Sequence, residues 1–327
     1  MAHFTCLEST GTFEFVSRQV SVLLCTRNRA PDLKETLVSL GQVQPPEGIE
    51  AEVVVIDNGS TDETGEVVAN AKIPWATSVR CVIEPKPGVA NARNRALAEA
   101  KGEIIVFVDD DIRFEPEWMT HILAPFESES ADAVAGSIRL APHLQKDWMT
   151  PKHETMYAST RPAEERGDVY LTGANMAFRK SVLEKVPGFD PRLGPGALGF
   201  SEESLFSDQI KEAGFKMVRA PKSLVIHHFR PDRLSRESLQ KAGYSQGRSL
   251  AYIAYHWKHD ETPISGLQAM RAKLGYLRRS KAEATPSGGA TPLEIDFYTS
   301  KGYAEQLKEE MKGPRRYDKR GLKPKSG

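Results

Sequence analysis

The chain predicts an α/β fold: a doubly wound, mostly parallel sheet flanked by helices, followed by a helical C-terminal extension. Three observations carry this. Apolar runs of strand length recur between Val20 and Val108, each closing on polar residues. Segments with helical periodicity separate them, at connection lengths suited to βαβ units. The run Ile104 to Val108 shows no alternation of polar and apolar residues, as expected for a parallel strand covered on both faces, and it ends in Asp109-Asp110-Asp111.

In chain order, residues 1–19 form a short lead-in without a basic start or an apolar signal core. Val20 to Cys25 is the first strand, and Pro31 opens a helix with Leu33, Leu37, Val38 and Leu40 on one face. Val53 to Ile56 is the second strand, ending in Asp57-Asn58-Gly59-Ser60-Thr61-Asp62, where Ser60 or Thr61 is the expected cap of the next helix. Arg80 to Glu84 is a third strand, leading through Pro85-Lys86-Pro87-Gly88 into a helix from Ala90 to Lys101. Beyond Asp111 the reading is a helix over 117–126, a strand over 132–140 and an irregular polar stretch over 141–168. A strand-like run follows at 169–178, with a helix from Ser181. Then come a glycine-rich loop over 188–199, a helix from Ser201 to Ala213 and a last sheet element within 217–226 that leads to His227-His228. Residues 234–259 form an amphipathic helix, 282–292 a linker, and the basic tail after Lys312 is expected to be disordered.

Composition limits the function classes. Lys plus Arg and Asp plus Glu each number 44, so no global field favours nucleic acid or a membrane surface. No run approaches the ~20 apolar residues that span a bilayer. Three cysteines, Cys6, Cys25 and Cys81, lack metal-type spacing and read as buried free thiols of a reducing, cytoplasmic compartment. The single Gly-x-Gly-x-x-Gly, at Gly194 to Gly199, follows Asp190-Pro191-Arg192 rather than a buried strand, so it is rejected as a dinucleotide fingerprint. No Walker loop and no Ser/His/Asp or Cys/His nucleophile arrangement stands out.

Chemistry concentrates at three strand ends: Thr26-Arg27-Asn28, Asp57-Asn58-Gly59-Ser60 and Asp109-Asp110-Asp111. Adjacent parallel strands bring their carboxyl ends to one rim, where open α/β sheets bind ligands. Three crowded acids either hold a hard cation such as Mg²⁺ or Mn²⁺ or form a solvated loop ahead of the next helix. Asp57 suits a base edge or ribose and Arg93 a phosphate, against the plainer roles of helix cap and solvated surface.

These stretches, with Gly88-Val89-Ala90-Asn91-Ala92-Arg93-Asn94, Thr172 to Arg179 and Gly188-Phe189-Asp190, occur in an order that resembles the family 2 glycosyltransferases from about Val20 to Gly247. The resemblance implies a GT-A-like fold and inverting transfer from a nucleotide-diphospho-sugar, with a UDP-sugar the leading donor. It implies Thr26, Arg27 and Asp57 around the nucleoside, with Arg93 beside them. Asp109 and Asp111 would fill the two acid places of Asp-x-Asp, with Asp110 between them at the nucleotide. His227 or His228 would complete a Mn²⁺ or Mg²⁺ site with Asp111 and Asp109, and Arg233 would meet the diphosphate.

The family's usual Glu-Asp base segment is here Glu202-Glu203, followed by Leu205 and Gln209 where a further acid and an Arg are common. Glu203 would be the base, its carboxylate displaced by about 1.5 Å by one extra methylene; the alternative is that Glu202 and Glu203 simply favour a helix N-terminus. The implied organisation is a lead-in (1–19), a glycosyltransferase domain (20–233), a helical extension (234–281) and a linker, short helix and basic tail (282–327). The acceptor is left open among glycan, lipid-linked and small-molecule hydroxyls. The basic stretch Met270 to Arg279 is either a peripheral contact with the inner membrane face or a solvated helix face, and Leu250, Ile253 and Trp257 either pack inward or form a homodimer surface. Two rivals are a non-catalytic nucleotide-sugar-binding protein and a sugar nucleotidyltransferase. The latter is expected to carry a Gly-rich, basic loop after the first strand, which is missing here.

Overall fold

The structure, a computed structural model, describes residues 18–262 and 289–325. Cys6, the stretch Met270 to Arg279 and the first part of the linker lie outside the described residues. Four parallel strands come first: β1 (Arg18–Thr26), β2 (Ile49–Asp57), β3 (Ala76–Ile83) and β4 (Ile104–Val108). Between them run α1 (Ala30–Gly41), α2 (Thr64–Ala69) and α3 (Val89–Glu99). The helix after β2 begins later than expected because Asp62, rather than Ser60 or Thr61, receives the Thr64 hydroxyl and the Ala30 backbone N–H. One carboxylate thus ties the starts of two helices together.

The remaining strands are β5 (Ile112–Phe114), β6 (Ala133–Leu140), β7 (Asn175–Arg179) and β8 (Met217–His227). Together the eight make one sheet in the order β3-β2-β1-β4-β7-β6-β8-β5. The expected parallel, doubly wound arrangement is its β3-β2-β1-β4 half. The β4–β7, β6–β7 and β5–β8 pairs are antiparallel, so the sheet as a whole is mixed. Every residue of β4 is buried, which explains its unbroken apolar run. One core cluster lies on each face of the sheet, around Leu33, Val53 and Trp118 on one side and Phe107, Phe178 and Phe206 on the other. Cys81 departs from expectation: it is exposed on the edge strand β3, while Cys25 is half-buried.

Short helices α4 (Trp118–Leu123) and α5 (Pro125–Ser128) replace the single helix expected over 117–126. Two more, α6 (Pro151–Met156) and α7 (Arg161–Glu165), structure the stretch read as irregular. The run 169–178 is strand only from Asn175, and a 3₁₀ turn at Lys180–Glu184 stands where a helix was expected. Then come α8 (Glu202–Glu212), α9 (Arg236–Ile253) and α10 (Pro292–Glu310). The last of these is 19 residues long rather than short, launched by a capping box between Thr291 and Glu294. It crosses α9 at close range because Gly243 and Gly247 face it: a Cβ on Gly243 would lie 2.9 Å from the Ile295 carbonyl oxygen. Residues 313–325 are seated against the domain rather than disordered, with Tyr317 only 2% exposed. No helix among the described residues is long and apolar enough to cross a membrane.

Candidate functional site

The acid turn follows β4 directly and is held by backbone. The Thr36 hydroxyl donates to the Asp110 carbonyl at 2.8 Å, and the His228 N–H donates to the Asp111 carbonyl at 2.7 Å. Because β5 pairs with β8 in the register Ile112↔His227, the His227 ring is delivered beside Asp111. Its Nε2 lies 3.2 Å from Asp111 Oδ1, and both side chains are almost fully buried. Nδ1 of the same ring is 2.7 Å from the Tyr157 carbonyl, which can only accept, so that nitrogen carries the proton. In the neutral ring Nε2 then turns a lone pair toward a carboxylate. While the ring is neutral, Asp111 Oδ1 has no hydrogen-bond partner. This pair of donors calls for a positive charge, as a proton on the ring or as a cation. Burial works to lower the His227 pKa, but the charge and hydrogen bond of Asp111 outweigh it and the net shift is upward. His228 instead lies beside His143, ring centres 5.5 Å apart, so of the two imidazoles His227 is the one facing the acid turn.

Arg29 is the residue that sequence reasoning passed over. Its guanidinium spans the turn, 2.8 Å from Asp110 Oδ1 and 2.6 Å from Asp111 Oδ2. Thr26 donates to the other Asp110 oxygen at 2.6 Å. Burial nonetheless pushes Asp110 up to about 7, Arg29 offsetting only part of it. Asp111 is held below the ordinary carboxylate range: burial opposes this, but His227 and Arg29 prevail. A signal was available, since Arg29 ends the polar run after β1, directly across from the end of β4. Arg27 is exposed and makes no ion pair among the described residues. Asp57 closes its own turn by accepting from the Ser60 N–H at 2.7 Å. Arg233 stacks its cation on Tyr157 and Phe229, at 5.8 and 5.3 Å, close behind His227 rather than inside the acid turn.

On the other flank, α8 begins with Ser201 in the left-handed region at φ 72°, unusual for a residue with a side chain, and carries Glu202 and Glu203 into the cleft. Arg93, 5% exposed on α3, reaches under both: 2.5 Å to Glu202, 3.9 Å to Glu203 and 3.7 Å to Asp109. Its guanidinium also lies 5.5 Å from the centre of the Phe189 ring. Arg93 therefore links the acid turn to the Glu202–Glu203 pair instead of standing beside Asp57. Gly173 makes room for it, since a Cβ there would fall 2.6 Å from Arg93 Cζ. Glu202 is buried, and burial plus the Glu203 charge push it up to about 8 against the pull of Arg93. Glu203 is partly open, but its Oε2 is turned inward, 3.9 Å from Arg93, and has no hydrogen-bond partner. The arrangement can hold a cation at one end and take up a proton at the other.

Residues 21–187 match the family described as Glycosyl transferase family 2, just over half of the chain. The chain belongs to glycosyltransferase family 2. It is 24% identical over 270 residues to the succinoglycan biosynthesis protein ExoM of Rhizobium meliloti, covering 82% of this chain and 85% of that one. To a glucosyl-3-phosphoglycerate synthase of Mycolicibacterium smegmatis it is 36% identical over 113 residues, 33% of this chain and 36% of the relative. Among solved structures, the mannosyltransferase PcManGT of Pyrobaculum calidifontis, in complex with GDP-Man and Mn²⁺, superposes with a TM-score of 0.52. That match has 18% identity over 91% of this chain and 76% of the other. The glucosyl-3-phosphoglycerate synthase of Mycobacterium tuberculosis, bound to Mn²⁺ and UDP-glucose, gives 0.50 at 20% identity, over 73% of this chain and 78% of that one.

This glycosyltransferase thus has the GT-A fold that its ordered motifs imply. The family match contains Thr26, Arg29, Asp57, Arg93 and the acid turn but stops before Glu202, Glu203 and His227. Those three are brought to the same cleft by α8 and β8. No group of three His, Cys, Asp or Glu side chains converges as a ready-made metal cage among the described residues. Asp111 and His227 are in contact, while Asp109 leans toward Arg93.

Proposed function

We propose that this glycosyltransferase moves a sugar from a nucleotide-diphospho-sugar to an acceptor hydroxyl with inversion, using a divalent metal and Glu203 as general base. The observation that carries this reading is the partly open carboxylate of Glu203, held beside Arg93 in one cleft with Asp109 at the end of β4. The donor set fits the metal. Asp111 Oδ1 is buried without a partner, Nε2 of His227 presents a lone pair beside it, and hard oxygen and imidazole nitrogen suit Mn²⁺ or Mg²⁺. Asp111 and His227 would hold the ion, with Asp109 the further acid. When bound, the metal supplies charge neutralisation for the departing diphosphate.

The chain's own residues do the rest. Glu203 takes the proton of the attacking hydroxyl on its carboxylate, which raises the nucleophilicity of that oxygen as it approaches the anomeric carbon. Glu202, raised to about 8, is largely protonated at neutral pH, so it adds little repulsion as Glu203 works in the ionised form. Arg93 keeps the pair from drifting apart, and Arg29 fixes the acid turn. Inversion follows from direct attack, with no protein nucleophile required. The solved neighbours carry GDP-mannose and UDP-glucose, which supports a sugar donor of that type.

The experiment is hydrolysis of UDP-, GDP- and dTDP-sugars with Mn²⁺, with and without EDTA, alongside calorimetry of the same nucleotides. We expect one nucleotide to bind only with metal. Asp111→Ala should lose that binding, while Glu203→Gln keeps it and loses turnover by 10²–10⁴-fold. Full turnover in Glu203→Gln refutes the base assignment, and metal-independent binding refutes the ion.

A further inference from the structure

The loop over 188–200 lies directly on Glu202, the neighbour of the candidate base. A Cβ on Gly194 would fall 2.8 Å from the Glu202 carboxylate, and the Pro195 carbonyl accepts from the Val89 N–H at the start of α3 at 2.9 Å. What holds this loop is not in the stretch matched to the family. Asp190, 6% exposed, accepts at Oδ2 from two phenol hydroxyls, Tyr252 at 2.6 Å and Tyr317 at 2.7 Å. Its Oδ1 accepts from the Arg192 N–H at 2.9 Å and shapes the turn into Leu193. Tyr252 comes from α9 and Tyr317 from the C-terminal tail, and both rings are buried. Burial and the Asp190 charge push both phenols upward, so both remain donors.

The same tail also grips the helix that carries Glu203. Gln209 on α8 donates to the Leu322 carbonyl at 3.3 Å, and Trp257 donates to the Gly321 carbonyl at 3.0 Å. Leu193 and Leu198 of the loop pack with Leu205 of α8 against Tyr252, Trp257 and Tyr317. A buried carboxylate with two phenol donors is a stiff, charge-assisted tether. It joins loop, base helix and tail at one point.

We propose that Asp190, Tyr252 and Tyr317 are positioning residues, through which the C-terminal tail sets the loop over 188–200 and the Glu202–Glu203 helix in register for transfer. The assignment rests on the reading of Glu203 as base. A displacement of order 1 Å in a reacting group costs up to ~10²-fold in rate, and loss of one of two tethering hydroxyls is expected to cost about tenfold. The test uses the full chain with Mn²⁺ and whichever of UDP-glucose or GDP-mannose the wild type hydrolyses. Tyr317→Phe should lower kcat about tenfold, leave the Kd for UDP or GDP within twofold, and accelerate hydrogen exchange in peptides covering the loop, with β1 to β4 unchanged. Asp190→Asn, which keeps an acceptor oxygen, should retain most of the activity that Asp190→Ala loses. If kcat and loop exchange are unaltered in Tyr317→Phe, the positioning role is overturned while the transferase reading stands. A joint loss of kcat, nucleotide affinity and thermal midpoint also overturns it, since that is a structural role only. Failure of the wild type to bind either nucleotide overturns the reading of the pocket, and the positioning role with it.

Discussion

Replacing Arg93 with Met removes the cation that faces Glu202, Glu203 and Asp109 while keeping an apolar stem over Phe189. Arg93 is 5% exposed, and its strongest contact, to Glu202, joins two buried groups at 2.5 Å. Breaking a buried pair by deleting one partner costs about 3–5 kcal/mol when the survivor stays charged. Glu202 has an escape, because its pKa already stands at about 8 and rises further once Arg93 is gone. At pH 9 the wild-type Glu202 is ionised and paired, whereas the variant must bind a proton there, so its loss exceeds the loss at pH 6 by about 1.4 kcal/mol for each pH unit above 8. At pH 6 Glu202 is protonated in both proteins, and the loss shrinks to a hydrogen bond and the contact with Phe189, about 1–3 kcal/mol. Urea unfolding at the two pH values measures this, with m compared to confirm that the unfolding reaction is the same. Equal losses at pH 6 and pH 9 would refute the idea that Arg93 serves mainly to neutralise Glu202. Arg93→Lys, which restores charge without the planar fork, should recover part of the pH 9 loss but not the reach to Glu203 and Asp109.

Two further substitutions probe the same cleft from other sides. Gly173→Ala puts a methyl group into the space of the Arg93 guanidinium, so it should reproduce the Arg93→Met stability loss in direction, read by the same unfolding curves; a neutral effect would mean that the guanidinium moves aside freely. Glu202→Gln removes a group whose folded pKa, about 8, stands above its ordinary 4.5. A raised pKa means the folded state binds the proton more tightly. That contribution is fully present below about pH 4.5 and is lost as pH rises through about 8. Relative to wild type, the variant should therefore gain stability across that window, by about 5 kcal/mol in all. Parallel pH profiles for the two proteins would contradict it.

The frame of this enzyme was readable because its physics is local. A strand covered on both faces must be apolar throughout, and Ile104 to Val108 is; strand ends gathered at one rim of the sheet turn polar, as Thr26, Asp57 and Asp109 do. The antiparallel half was harder to see. β7 is five residues long, and its Asn175 is polar yet fully buried, donating to the Ser137 and Ser223 carbonyls and accepting from the Trp118 indole. Nothing near residue 175 announces partners that far along the chain. Arg93 was misjudged for the same reason. Read beside its neighbours it is a basic residue on the first turns of a helix, suited to phosphate, whereas its partner Glu202 stands 109 positions away. The tail was misjudged by composition. Lys, Gly and Pro usually mark solvated chain, but one buried Tyr317 and a few backbone carbonyls suffice to seat it. What composition averages away is the single side chain with a buried partner waiting. In this cleft Arg29, Arg93 and Tyr317 are each such a side chain, and each meets a carboxylate supplied by a different element of the fold.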